Sequence, residues 1–218
     1  MSEPVKPKRK YTSSRRAEQA GDTRDTVIAA ARQQFIALGW QKTTIASVAQ
    51  AAGVSNETIY AVFGNKQALL KAVIERAVRR SQPTVPLLDQ AGVRALFGAP
   101  DQRAQIAIFA EDIAEVLGNV ADLMAVVRTA AVADETLARL YGEFHEGRRR
   151  NLAVVTRALL GRGALREGMD AVAATTMLWR LASPDLFLLM RDVEGLSADR
   201  YAAWLASTLA SALLPDTA

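Results

Sequence analysis

The feature that most constrains this chain is its apolar spacing, which keeps a helical period from Asp22 to Leu214 and nowhere settles into the alternation of a strand. Val27, Ala31, Phe35 and Leu38 line one face of a first helix, and Gly39 follows as its C-terminal cap. Two short helical patterns come next, Thr44 capping Ile45 to Ala52 and Ser55 capping Asn56 to Val62. Between them Gly53 can take the positive φ of a tight turn. Asn65 caps a longer helix, Lys66 to about Arg80, and the two prolines of Ser81 to Pro86 mark a boundary. Beyond them Ile106, Phe109, Ile113 and Val116 share a face, as do Leu123, Val127 and Ala130. Leu137 to Leu159 extend along another helix, Asp170 to Met190 reads as a helix interrupted near Ser183-Pro184, and Ala198 to Leu214 as a last one. The expected fold class is all-α.

Charge divides this helical chain unevenly. Residues 1–80 hold 14 Lys and Arg against 6 Asp and Glu, whereas residues 81–218 hold 13 against 17, within a total of +4. A basic front and an acidic rear point to a polyanion partner for the first part and a different one for the second. Three segments are expected. Residues 1–21, rich in Lys, Arg, Ser and Thr, read as a flexible basic arm; residues 22–80 as a helix-turn-helix domain; residues 81–218 as a regulatory and dimerisation domain.

Composition removes most catalytic chemistry. Without cysteine there are no disulfides, thiolate nucleophiles or Cys-based metal sites, and the single histidine, His145, cannot form a His-His site. No Ser-His-Asp arrangement suggests itself around it, so no enzyme, metal or cofactor is expected. No run approaches the roughly 20 apolar residues of a bilayer span, and the charged N-terminus lacks the apolar core of a signal peptide. The expected location is the cytoplasm, with no membrane partner.

Two short helices joined by a glycine turn can seat the second helix in a major groove. With Ile45, Val48, Ala49, Val54, Ile59 and Phe63 turned inward, the residues Asn56, Glu57, Thr58 and Tyr60 are left outward, able to hydrogen-bond base edges and phosphates. For Tyr60 a half-buried core position with a wet hydroxyl stands beside the DNA role. Lys42 just precedes one helix and Lys66 begins another, and at a helix N-terminus the dipole disfavours a cation unless an external anion shares the site.

At this point the run Gly39-Trp40, Thr43-Thr44-Ile45, Val48-Ala49, Ala52-Gly53-Val54-Ser55, Thr58-Ile59-Tyr60, Phe63, Lys66 and Leu69 resembles the N-terminal signature of TetR-type repressors over about residues 23–80. The resemblance implies a homodimer that binds near-palindromic operator DNA and leaves it when a small molecule occupies the C-terminal domain. It also implies phosphate contacts for Thr44, Ser55, Tyr60 and Lys66, and base contacts for Asn56 and Thr58, with Glu57 at a variable position. A ligand-independent or architectural DNA-binding protein is the alternative, because nothing in residues 81–218 names a ligand.

Several other residues have two readings each. Arg128 lies in an otherwise apolar stretch and could meet an acidic ligand or pair with Asp112 or Glu115. Phe109, Phe144, Trp179 and Phe187 could line a cavity, with core packing as the default reading. Lys6 to Lys10 could touch a minor groove or remain solvated. His145 is expected as a surface histidine, and Arg148 to Arg150 as a solvated helix face. The apolar faces of Leu137 to Leu159 and of Tyr201, Trp204 and Leu205 are expected to pair across a two-fold axis.

Overall fold

A computed structural model of the chain describes residues 11–82 and 84–215. Among the described residues every regular element is helical, and the backbone divides into two compact units, residues 1–73 and 74–218. The division falls inside a helix, ahead of the Ser81 to Pro86 segment.

In the first unit, α1 runs Tyr11–Lys42, α2 Ile45–Ala52 and α3 Asn56–Phe63, and α4, Lys66–Arg79, begins there. Helix α1 thus starts eleven residues before Asp22, inside the segment read as a flexible arm. Apolar period reports only a helix that buries a face, whereas residues 11–20 include Arg15 to Ala20, strong helix formers without a proline. The basic run Lys6 to Lys10 lies outside the described residues. At Gly39 the backbone turns to φ 73°, kinking α1 where the cap was expected.

Val27, Ala31, Phe35, Val48, Ile59, Leu69 and Leu70 form the core of this unit. Leu38, expected on the buried face, is instead 47% exposed, because the kink at Gly39 ends that face one turn early. Trp40 takes over by stacking on Phe35, with ring centroids 6.0 Å apart.

The second unit holds a short 3-10 turn, Leu87–Asp89, followed by α5 Ala91–Gly98, α6 Gln102–Ala131, α7 Glu135–Leu160, α8 Ala171–Leu181, α9 Pro184–Asp192 and α10 Ala198–Leu213. Side-chain oxygens one residue ahead of five of these helices accept backbone N–H bonds: Asp101 from Ala104, Asp134 from Thr136 and Leu137, Asp170 from Ala173, Ser183 from Leu186, and Ser197 from Arg200. Pro184 occupies the first turn of α9, where its missing N–H costs nothing, so the expected interruption separates two helices. The two faces read around Ile106 and around Leu123 belong to the single 30-residue α6.

Helix α6 runs through the core with Phe109, Leu117 and Ala121 buried, against Leu152 and Leu159 of α7, Leu178 of α8, Phe187 of α9 and Leu205 and Leu209 of α10. Buried Gln105 donates to the carbonyls of Leu96 (3.3 Å) and Ala158 (3.2 Å), and Gln102 to that of Leu159 (3.0 Å), fastening the end of α7 to α6. Leu137, Leu152, Leu159, Tyr201 and Leu205 are at most 3% exposed within the single chain. These five positions of the faces expected to pair across a two-fold axis pack inside this unit, while Trp204 is half-buried. Among the described residues its exposed large apolar side chains are Phe97, Val132, Leu160, Val172, Leu189 and Val193.

Where α4 ends, Arg80 adopts φ 53°, a left-handed conformation that normally favours glycine. Its guanidinium bonds both Asp112 and Glu115 at 2.6 Å, ion pairs that help to hold this backbone. Those two carboxylates are therefore engaged by Arg80, and Arg128 pairs with Asp185 of α9 instead.

Candidate nucleic-acid interface

The geometry of the first unit begins at Thr44, whose extended backbone starts α2. Its hydroxyl accepts from the Ser47 N–H at 3.0 Å, and the Ser47 hydroxyl accepts from the Thr44 N–H at 3.1 Å, a reciprocal box that fixes the first turn. Gln34 of α1 extends this box, accepting from the Ser47 hydroxyl at 2.6 Å and donating to its carbonyl at 2.9 Å. Helix α2 is thereby tied to α1 by a polar clasp. Sequence reasoning missed Ser47 and Gln34; the Thr44-x-x-Ser47 spacing was the available signal for the first.

Gly53 closes α2 at φ 67°, and the Val54 N–H bonds back to the Ala49 carbonyl at 3.0 Å, so the chain reverses and enters α3 at once. Ser55 accepts from the Thr58 N–H at 3.2 Å and its hydroxyl lies 3.1 Å from that of Thr58. Ile59 and Phe63 turn inward, the latter under the Arg24 guanidinium at 4.7 Å. Asn56 and Glu57 are exposed, Thr58 is half-buried, and Tyr60 is 54% exposed, which takes it out of the core. The Glu57 carboxyl is held below the usual carboxylate range, chiefly by its own backbone N–H and then by the Ser55 hydroxyl. This carboxylate folds back on the start of α3, where the dipole favours an anion.

Lys42 and Thr44 are exposed at the end of α1 and the start of α2. Lys66 behaves differently. Its ammonium donates to the carbonyls of Trp40 (2.9 Å) and Thr43 (3.0 Å) and lies 4.0 Å from the centre of the Trp40 ring. A cation at the start of α4 thus has an internal reason, since it satisfies carbonyls released by the kinked end of α1. Buried Thr43 completes this junction by donating its hydroxyl to the Gly39 carbonyl at 2.8 Å.

The structure places Asn56, Glu57, Thr58 and Tyr60 on α3, Ser55 and Thr44 at the caps of α3 and α2, and Lys42 at the end of α1. Residues 27–73 match the family model described as bacterial regulatory proteins, tetR family. The N-terminal unit is a TetR-family domain. Over 61 residues, 28% of this chain and 29% of the relative, the TetR-type sequence is 39% identical to the HTH-type transcriptional regulator TtgR of Pseudomonas putida. It is also 39% identical over 57 residues, 26% of this chain and 27% of the relative, to the regulator AlkX of Mycobacterium tuberculosis. The match therefore spans less than a third of each of these relatives. A solved structure of NalD, the secondary repressor of the MexAB-OprM multidrug efflux pump in Pseudomonas aeruginosa, aligns with a TM-score of 0.69 at 23% identity. That alignment covers 92% of this chain and all of NalD, so the likeness of fold extends beyond the TetR-type domain.

The ligand-facing residues read from the sequence lie in the second unit and are dispersed. Phe109 is buried in the core, Trp179 packs against that core from α8, Phe144 is half-buried on α7, and Arg128 is half-exposed in its pair with Asp185. The largest departures concern two residues expected at the surface. His145 stands edge-on to Tyr141 and Trp179, and burial, with the nearby Arg148 charge, pushes its pKa below the ordinary value. Arg148 is largely buried, bonding the Trp179 carbonyl and, at 3.2 Å, His145 Nδ1.

Proposed function

We propose that the chain is a homodimeric transcriptional repressor that binds a near-palindromic operator and leaves it when a small molecule occupies residues 81–218. The observation that carries the reading is the exposed polar row on α3, placed directly after two capped helix starts over a core that does not need it. Asn56 and Thr58 read base edges, and Lys42, Thr44, Ser55 and Tyr60 hold phosphates. Glu57, turned back on its own helix, keeps clear of the backbone until a cytosine amine is offered. Lys66 acts from behind, holding the entry of α2 in place.

The domains follow the same division, residues 22–80 for DNA and 81–218 for effector and dimer contact. A single short helix-turn-helix reads only a few base pairs, and a two-fold copy doubles the site. That related proteins include a named repressor of an efflux pump supports the sign of regulation.

Fluorescence anisotropy with the duplex upstream of the chain's own gene, against a shuffled duplex of equal length, tests the reading. Binding in the nanomolar range that weakens steeply with salt is expected for the first duplex only. Asn56→Ala should narrow the gap between the two duplexes by about 1–3 kcal/mol. Equal affinity for both duplexes refutes a sequence-specific repressor, and a monomer by sedimentation on the bound operator refutes the dimer.

A further inference from the structure

Arg148 of α7 presents an uncompensated buried charge. Its guanidinium bonds only neutral acceptors, the Trp179 carbonyl and His145 Nδ1, and its Nε is shielded from solvent with no acceptor at all. The indole Nε1 of Trp179, the residue it touches, is equally shielded and equally without a partner. Asp185, whose charge reaches this guanidinium, is already paired with Arg128, and among the described residues no carboxylate bonds Arg148. The Trp179 ring carries two cations, with the guanidinium carbons of Arg148 and Arg149 at 5.2 and 4.6 Å from its centre.

Water is a better host for a guanidinium than a neutral interior, and contact with an aromatic face recovers only part of the difference. Burial pulls the pKa of Arg148 down to about 10, the cost of holding this charge away from water. Two idle donors on touching residues beside such a cation describe one half of a recognition site, with the acceptor missing.

We infer that Arg148 and Trp179 bind a small organic acid, whose carboxylate takes the idle donors and whose body lies against the contiguous rings of Tyr141, His145 and Trp179. A carboxylate matches the planar guanidinium and supplies the absent charge. Around these donors the surfaces are aromatic, His145 lying 4.3 Å from Tyr141 and 5.6 Å from Trp179 between ring centres, so an aromatic or apolar body suits them better than a hydrated inorganic anion. The inference rests on the reading of residues 81–218 as the effector-binding part and names the chemical class of that effector.

Isothermal titration of the full chain with benzoate, benzamide and inorganic phosphate tests it. Benzoate is expected to bind roughly tenfold or more tighter than the isosteric amide, and phosphate not to bind. Arg148→Gln should weaken benzoate by roughly tenfold, Arg150→Gln should leave it unchanged, and Arg148→Lys should keep the preference for the acid at reduced affinity. Comparing the three probes on the unaltered chain keeps the test decisive if Arg148→Gln misfolds. Equal binding of acid and amide, no heat from benzoate at millimolar concentration, or phosphate binding as tightly as benzoate overturns the inference. So does an Arg148→Gln variant that shifts the monomer–dimer balance while benzoate binds as before, which would give the guanidinium to a second copy. Operator binding with no benzoate binding refutes this site alone, and benzoate binding with no operator preference refutes the repressor reading alone.

Discussion

Replacing Lys66 by methionine separates two jobs that a lysine at the start of α4 could perform. Methionine retains the apolar stem and its contact with Trp40 while removing the ammonium. The structure gives that ammonium two carbonyl acceptors, at 2.9 and 3.0 Å, and the face of Trp40 at 4.0 Å. Hydrogen bonds from a charged donor contribute about 1.5 kcal/mol each at the lower end, suitable for a half-buried residue. The ring contact adds about 0.5–1 kcal/mol, which the methionine sulfur on the same ring largely recovers, and lysine and methionine carry similar rotamer freedom. A net loss of about 3 kcal/mol follows, which for a small domain corresponds to a fall of roughly 15 °C in Tm. Thermal unfolding followed by circular dichroism measures it. Salt dependence supplies the complementary reading, because losing one phosphate contact lowers the slope of log K against log salt by about 0.9. Lys66→Met is expected to lower Tm and leave the slope intact, whereas Lys42→Met, at an exposed site, should lower the slope and leave Tm intact. An unchanged Tm with a slope reduced by about 0.9 for Lys66→Met would refute the internal role and return this lysine to the phosphates.

Two further changes probe the second unit. A Cβ at Gly92 would lie 2.3 Å from Asp112 Oδ1, so Gly92→Ala should displace that carboxylate from Arg80 and cost about 1–2 kcal/mol. The cost should largely vanish when Asp112 is also alanine, and simple addition of the two effects in urea unfolding would show that the pair is not the route. His145 has its pKa lowered below 6.5, so between the folded and unfolded values the unfolded chain binds more protons and stability rises with pH. Acidification from about pH 7.5 to 5.5 should therefore destabilise the chain more than its His145→Gln variant. Greater loss in the variant would contradict the placement of His145.

What the sequence determined by itself is what depends on neighbours three or four residues away. Caps at Thr44, Ser55 and Asn65, the left-handed turn at Gly53 and the inward positions Val48, Ile59 and Phe63 all follow from local spacing, and the helix-turn-helix with its exposed Asn56 and Tyr60 follows from them. The start of α1 at Tyr11 escaped because a segment can be helical without an apolar stripe to announce it. Tertiary structure alone decided the choices among competing partners. Period shows that the faces of Leu137 to Leu159 and of Tyr201 to Leu205 are buried, but a face turned toward its own core and one turned toward a second copy have the same spacing. Likewise a lysine, an arginine or an aspartate carries no record of its partner: Lys66 meets carbonyls 23 and 26 residues back, Arg128 meets Asp185 57 residues on, and Arg80 takes the carboxylates that one of the two readings of Arg128 gave to it. Charge attracts at any sequence separation, so only the packed chain decides which pairs come within reach.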